Sequence, residues 1–237
     1  MAKKQSRFLL QQKIALGLVA LTLMSILSYL GIKTFDDSPI GEFVEGEHYQ
    51  LLENPRRIRA DEIEVMEFFS YGCVHCFNFE PMLSEWVESK DGSINFIRTP
   101  AIAGDYWNIL GRAYFTLDQM KILEDQHMNM FRAIHQSTRN LSTPEALFDF
   151  IEENGVDRDA FGTAYRSSQV NAAMKRSDQM ARRLKVASVP TIVIQGKYLV
   201  HTTRSVGQNR MLQVMDYLIA LEQKSKGTDL LTNAKIP

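Results

Sequence analysis

Two cysteines, Cys73 and Cys76, make up the entire thiol content of this chain, and they stand three residues apart in Cys73-Val74-His75-Cys76. On the first turn of a helix, two sulfurs at this spacing can close into a disulfide and reopen. The first of them sits where free backbone N–H groups and the positive helix end favour a thiolate. Cys73 therefore reads as the exposed nucleophile, and Cys76, one turn in, as the more buried resolving thiol of an exchange that runs through a mixed disulfide. His75 can lend the Cys73 sulfur a hydrogen bond or a positive charge and lower its pKa further. A stabilised thiolate favours the reduced pair and makes the disulfide oxidising.

Blander readings use the same residues. A zinc site would need two more ligands, and His48, His127, His135 and His201 show no paired spacing. An inert disulfide would close a loop too tight to add much stability. The blander reading of His75 is an incidental polar residue at a helix start, which its position inside the motif argues against.

The elements that must position the pair are legible around it. Ile63-Glu64-Val65-Met66-Glu67-Phe68-Phe69 is a β-prone run that ends in Ser70-Tyr71-Gly72. From Cys73 onward, Phe77, Met82, Leu83 and Trp86 recur at helical spacing. After the turn Lys90-Asp91-Gly92, the run Ile94 to Arg98 predicts a second strand, parallel to the first in a βαβ unit. From Asp105 to about Lys185 the pattern is helical. Ser142-Thr143-Pro144-Glu145 reads as a helix start, Asn154-Gly155 as a stop and Asp157 as a fresh cap. Thr191 to Ile194, Gln195-Gly196 and Lys197 to His201 predict a β-hairpin. A closing amphipathic helix from about Ser205 to Leu221 carries Met211, Val214, Met215, Leu218 and Leu221 on one face.

The 237 residues are 45% hydrophobic and 23% charged, an ordinary globular balance with enough apolar material for a sizeable core. A net charge of -1 supplies no basic face for nucleic acid, so no nucleic-acid partner is expected. With only two cysteines there is no disulfide framework, and packing must hold the fold. At the amino terminus, Ile14 to Ile32 is a charge-free run of 19 residues preceded by Lys3, Lys4, Arg7 and Lys13. That is long enough to span a bilayer, and the basic flank places everything after it on the outer, disulfide-permitting side. The run is longer than a signal-peptide core and no good Ala-x-Ala site follows it, which favours an uncleaved anchor over a cleaved leader and a soluble periplasmic product.

Glu67-Phe68-Phe69-Ser70-Tyr71-Gly72-Cys73-Val74-His75-Cys76, with Val189-Pro190 far downstream, resembles the DsbA group of thioredoxin-fold proteins. The likeness runs from about Phe43 to Leu221 and takes in Phe43-Val44-Glu45-Gly46-Glu47-His48-Tyr49 and Gly196-Lys197-Tyr198. It implies an α/β thioredoxin fold with an inserted all-helical domain, to which the apolar run adds an N-terminal transmembrane helix. The expected organisation is a cytoplasmic basic segment (1–13), an anchor (14–32), a tether (33–46), a first thioredoxin part (47–103), a helical insertion (104–185), a second thioredoxin part (186–225) and a tail (226–237).

The resemblance further implies a thiol-disulfide oxidase of the cell envelope. It would pass a disulfide to reduced exported polypeptides and be reoxidised by a membrane quinone reductase of the DsbB kind, with no cofactor or metal of its own. Carried over by position, Cys73, Cys76 and His75 form the catalytic motif. Glu67 matches an acidic residue beneath the site that takes or relays the Cys76 proton, against the alternative of a surface strand residue. Val189 and Pro190 match the cis-proline segment that meets substrate, and Arg98 stands where the family often places a basic residue. Val74 replaces the proline that commonly follows the first cysteine, and the anchor also departs from the family pattern. Two competing functions remain: a disulfide isomerase or reductase, for which the tether offers little room for a dimerising segment, and a tethered chaperone-like binding module, which the intact cysteine pair argues against.

Overall fold

The computed structural model describes residues 43–58 and 60–233, together with Thr22 and Met24. Among the described residues no helix is long and apolar enough to cross a membrane; the expected anchor, residues 14–32, lies outside them but for those two positions.

Strand β2 (Ile63–Phe69) runs parallel to β3 (Ile94–Pro100), and helix α1 (Val74–Ser89) forms the crossover between them. β4 (Thr191–Ile194) and β5 (Tyr198–His201) form the expected antiparallel hairpin, and β4 lies antiparallel against the other edge of β2. A short strand that hydrophobic pattern alone does not reveal, β1 (Gln50–Leu51), pairs with β5. Sheet order is thus β1-β5-β4-β2-β3. β2 is buried along its whole length, as a central strand covered on both faces must be, which is why it reads as a nearly continuous apolar run.

Between β3 and β4 come five helices: α2 (Gly104–Gln119), α3 (Leu123–His135), α4 (Pro144–Glu153), α5 (Arg158–Tyr165) and α6 (Ser168–Arg183). Their ends follow the local chemistry. Thr143 caps α4, accepting from the Ala146 N–H with Pro144 at the first turn. Gly155 turns the chain at φ +81°, and Asp157 caps α5 by accepting from the Ala160 N–H.

Alternation along the strands sorts side chains into separate cores. Val65, Ile192, Ile194 and Val200 pack with Phe79, Leu83 and Trp86 of α1 and with Met211, Val214, Met215 and Leu218 of α7 (Gln208–Asn233). Met66, Phe68, Val193 and Leu199 face the opposite layer, with Leu184 beyond the end of α6. Phe69, Tyr71 and Cys76 join Leu117, Phe131, Leu147 and Phe161 of the helical block, so the active turn is part of that block's core.

Two boundaries differ from the sequence expectation. Phe43, placed in the tether, is buried against Tyr217 and His48, so the packed body reaches back to it. α7 continues well past Leu221, which is 38% exposed. Four residues beyond Leu218 the inner face is occupied instead by Glu222, whose carboxylate accepts hydrogen bonds from Tyr198 Oη (2.7 Å) and Lys197 Nζ (2.8 Å). Positions i+3 and i+4 from Leu218 both lie on this face, and the hydrogen bonds to the Glu222 carboxylate are what hold the acidic residue inward.

Candidate active site

The turn Ser70-Tyr71-Gly72 feeds β2 into α1, and Cys73 is the N-cap residue of α1 in extended conformation (φ -99°, ψ 113°). Gly72 lets the helical block come close: a Cβ there would lie 2.9 Å from Tyr106 Cε1 and 3.3 Å from both Leu110 Cδ1 and Trp107 Nε1. Cys73 is half-buried, Cys76 is fully buried, and both are free thiols. The Cys76 N–H donates to Cys73 Sγ at 3.4 Å, the N-cap bond that serines and aspartates usually make. The Cys73 thiol donates to the Val189 carbonyl at 3.6 Å, and the Val189–Pro190 peptide is cis. Val189 is half-buried and Pro190 buried, so the chain before β4 presents a carbonyl to the first sulfur from the far side of the site.

The two sulfurs differ sharply. The hydrogen bond from the Cys76 side chain, opposed by partial burial and joined by the backbone N–H groups of Cys76 and His75, draws the Cys73 thiol down to about 6. Burial first, then the bond to Cys73 and that sulfur's charge, pushes the Cys76 thiol far above its ordinary value. His75 is exposed, its carbonyl accepts from Gln208 Nε2 at 2.6 Å, and its ring charge is the smallest of the named influences on Cys73. Helix geometry outweighs the histidine here.

Glu67 is 1% exposed, on the α1 side of β2, so the surface-strand alternative does not hold. It belongs to a buried charge cluster that sequence spacing does not announce. Its Oε2 lies 3.4 Å from Arg98 Nε of β3; Arg98 Nη2 also donates to Glu80 Oε1 of α1 at 2.5 Å. Glu80 is 2% exposed, accepts from Ser84 Oγ at 2.6 Å, and has its Oε2 3.3 Å from His127 Nε2 of α3. Burial, reinforced by the Glu80 charge and opposed by Arg98, raises the Glu67 carboxyl to about 8. Burial works against the Glu80 carboxylate too, but His127, Arg98 and Ser84 outweigh it and keep that group below the usual carboxylate range. One cation thus supports one ionised carboxylate, and Glu67 is the acid left protonated near neutral pH.

The sequence reading missed Glu80 and His127 and gave Arg98 little weight. Glu80 is four residues after Cys76 on the same helical face, which is a usable signal. His127 has none, because its partners come from other elements. Of the apolar residues near the pair, Tyr71 and Phe79 are core, while Phe77 is half-buried and stacks on His135 (5.2 Å between centroids, 16° between planes).

The family model described as "DSBA-like thioredoxin domain" matches residues 100–218. The thiol:disulfide interchange protein DsbA of Pseudomonas aeruginosa is 33% identical over 208 residues, covering 87% of this chain and 97% of that protein. That of Azotobacter vinelandii is 36% identical over 180 residues, covering 75% and 84%. Among solved structures, Pseudomonas aeruginosa DsbA superposes with a TM-score of 0.74 at 35% identity, covering 78% of this chain and 97% of that one. The oxidoreductase DsbA from Xylella fastidiosa does so with a TM-score of 0.71 at 29% identity, covering 77% and 98%.

Proposed function

The chain belongs to the DsbA family of thiol:disulfide interchange proteins, and from that premise we propose how its own residues carry out the exchange. It is a thiol-disulfide oxidoreductase that introduces disulfides into exported proteins. In the oxidised protein a substrate thiolate attacks Cys73 Sγ, the Cys73–Cys76 bond breaks, and Cys76 leaves with the electron pair. The buried Cys76 sulfur cannot stay anionic, so it takes the proton held by Glu67, giving a Cys76 thiol and a Glu67 carboxylate beside Arg98. A second substrate thiolate then attacks the substrate sulfur of the mixed disulfide and expels Cys73 as a thiolate. The substrate is left oxidised by two electrons and the Cys73–Cys76 pair reduced by two.

The asymmetry of the two sulfurs carries this reading: Cys73 is half-exposed with a thiol drawn down to about 6, and Cys76 is buried with its thiol pushed up. A leaving group stabilised as its thiolate makes the disulfide a strong oxidant. The Val189 carbonyl and Pro190 form the wall against which an extended substrate segment pairs. His75 plays a lesser part, through its backbone N–H.

Residues 14–32 tether the enzyme to the inner membrane with the catalytic domain in the periplasm, a reading supported by their charge-free run and basic flank. Reduced exported polypeptides are its substrates, and a quinone reductase of the DsbB kind restores the disulfide. The test is equilibration of the chain lacking residues 1–33 with a glutathione buffer. An oxidase pair becomes reduced in a buffer that leaves structural disulfides intact; a pair that persists as a disulfide there identifies a reductant. Carbonate extraction of cell membranes tests the tether, which is refuted if the full chain is released.

A further inference from the structure

His127 lies deep beneath the cysteine pair, 6% exposed, on α3 of the helical block. Its Nδ1 is 2.8 Å from Tyr71 Oη, and its Nε2 is 3.3 Å from Glu80 Oε2. The groups around it come from every element packed there: Tyr71 of the turn before Cys73, Glu80 of α1, Arg98 of β3, Tyr114 of α2, and the rings of Phe69 and Phe131. Glu67 Oε2, Glu80 Oε2, Arg98 Nε and His127 Nε2 are all buried and make no hydrogen bond, so the ion-pair approaches of 3.3 Å and 3.4 Å are the polar contacts they have with one another. Four contacts, at 2.8, 3.3, 2.5 and 3.4 Å in that order, link five side chains into one chain running Tyr71–His127–Glu80–Arg98–Glu67.

We propose that His127 is a positioning residue of the exchange reaction: as a neutral imidazole bridging Tyr71 and Glu80, it keeps Glu80 the ionised partner of Arg98 and leaves Glu67 as the carboxyl that carries the proton. This rests on the proposed passage of a proton between Glu67 and Cys76.

The tautomer follows from the partners. The ionised Glu80 carboxylate can only accept, so the imidazole proton belongs on Nε2, 3.3 Å from Glu80 Oε2, which leaves Nδ1 to accept from the Tyr71 hydroxyl. Burial, only partly countered by Glu80, disfavours the imidazolium. The charge count then closes with one cation, Arg98, and one anion, Glu80. A protonated His127 would admit a second anion and strip Glu67 of its proton. Removing the imidazole has the same consequence by another route: Glu80 loses its donor, competes for the proton, and hands Arg98 to Glu67.

The experiment is carboxyl carbon-13 and imidazole nitrogen-15 NMR on the full chain. In the wild-type protein Glu67 should titrate near 8, Glu80 should remain ionised to acidic pH, and His127 should show the Nε2–H tautomer at neutral pH. His127→Phe should lower the Glu67 midpoint by about one unit, raise that of Glu80, and move the pH profile of exchange by the same amount. His127→Gln can accept from Tyr71 and donate to Glu80, and it should restore all three. An imidazolium or an Nδ1–H tautomer in the wild type overturns the proposal, and that spectrum decides even if the phenylalanine variant does not fold. So does a folded His127→Phe whose Glu67 midpoint is unmoved. If Glu67 shifts as expected while the exchange profile does not, the positioning role in catalysis is overturned along with the Glu67–Cys76 proton step.

Discussion

Replacing Cys76 by alanine should cost Cys73 most of its acidity, while replacing it by serine should not. The hydrogen bond from the Cys76 side chain is the largest influence lowering the Cys73 thiol, ahead of the backbone N–H groups that the variant keeps. At about 6, Cys73 is roughly 90% thiolate at pH 7. A hydrogen bond to a charged group is worth about 1.5–3 kcal/mol, or ~1–2 pKa units. Cys76→Ala should therefore titrate near ~7–8, with a thiolate fraction of ~10–50% at pH 7. A serine hydroxyl can still donate to the sulfur, so Cys76→Ser should stay near the wild-type value. Thiolate absorbance in the ultraviolet is the better readout, because alkylation rates mix thiolate fraction with a nucleophilicity that falls as the pKa falls. Each variant carries a single thiol, which leaves the titration unambiguous. The reasoning is refuted if Cys76→Ala titrates within about 0.3 units of wild type, which would assign the acidity to the helix terminus alone.

Three further outcomes follow from the same geometry. Below pH ~6 the reduced pair holds two protons and above it one, so the slope of reduction potential against pH should change from about 59 to about 30 mV per unit near 6; one unbroken slope from pH 5 to 8 would contradict the thiol asymmetry. Glu67, raised to about 8, stabilises the fold fully below the unfolded carboxyl value of ~4.3, and that contribution drains away as pH rises toward 8. In oxidised protein, where Cys73 is silent, Glu67→Gln should therefore gain stability over wild type by up to about 1.4 kcal/mol per pH unit between 5 and 7 in urea unfolding; a pH-independent difference would count against a neutral buried Glu67. Gly72→Ala should destabilise by ~1–3 kcal/mol and slow exchange, because the new methyl meets Tyr106, Trp107 and Leu110; unchanged unfolding would mean that α2 yields freely.

Much of the fold is local and was readable. Val65, Phe69 and the residues between them announce a strand, Thr143-Pro144 and Asp157 announce helix starts, and the Gln195-Gly196 turn marks the hairpin. What escaped was short or lateral. β1 is two residues long and exists only because β5 offers it an edge, and Phe43 is core only because Tyr217 and His48 close over it. Leu221 fits the inner face by its spacing from Val214 and Leu218, yet the inner position goes to Glu222, whose carboxylate Tyr198 and Lys197 hold.

The sequence alone determined the reaction class: two thiols three apart at a helix start can exchange a disulfide wherever that helix is placed, because the spacing and the helix terminus are local properties. Only the tertiary structure decided which proton goes where. Glu67, Glu80, Arg98 and His127 come from two strands and two helices, and no local pattern joins them. Their ionisation is set by desolvation, which depends on what the folded chain packs over them, so the acid beneath the cysteines became visible only once the core had closed.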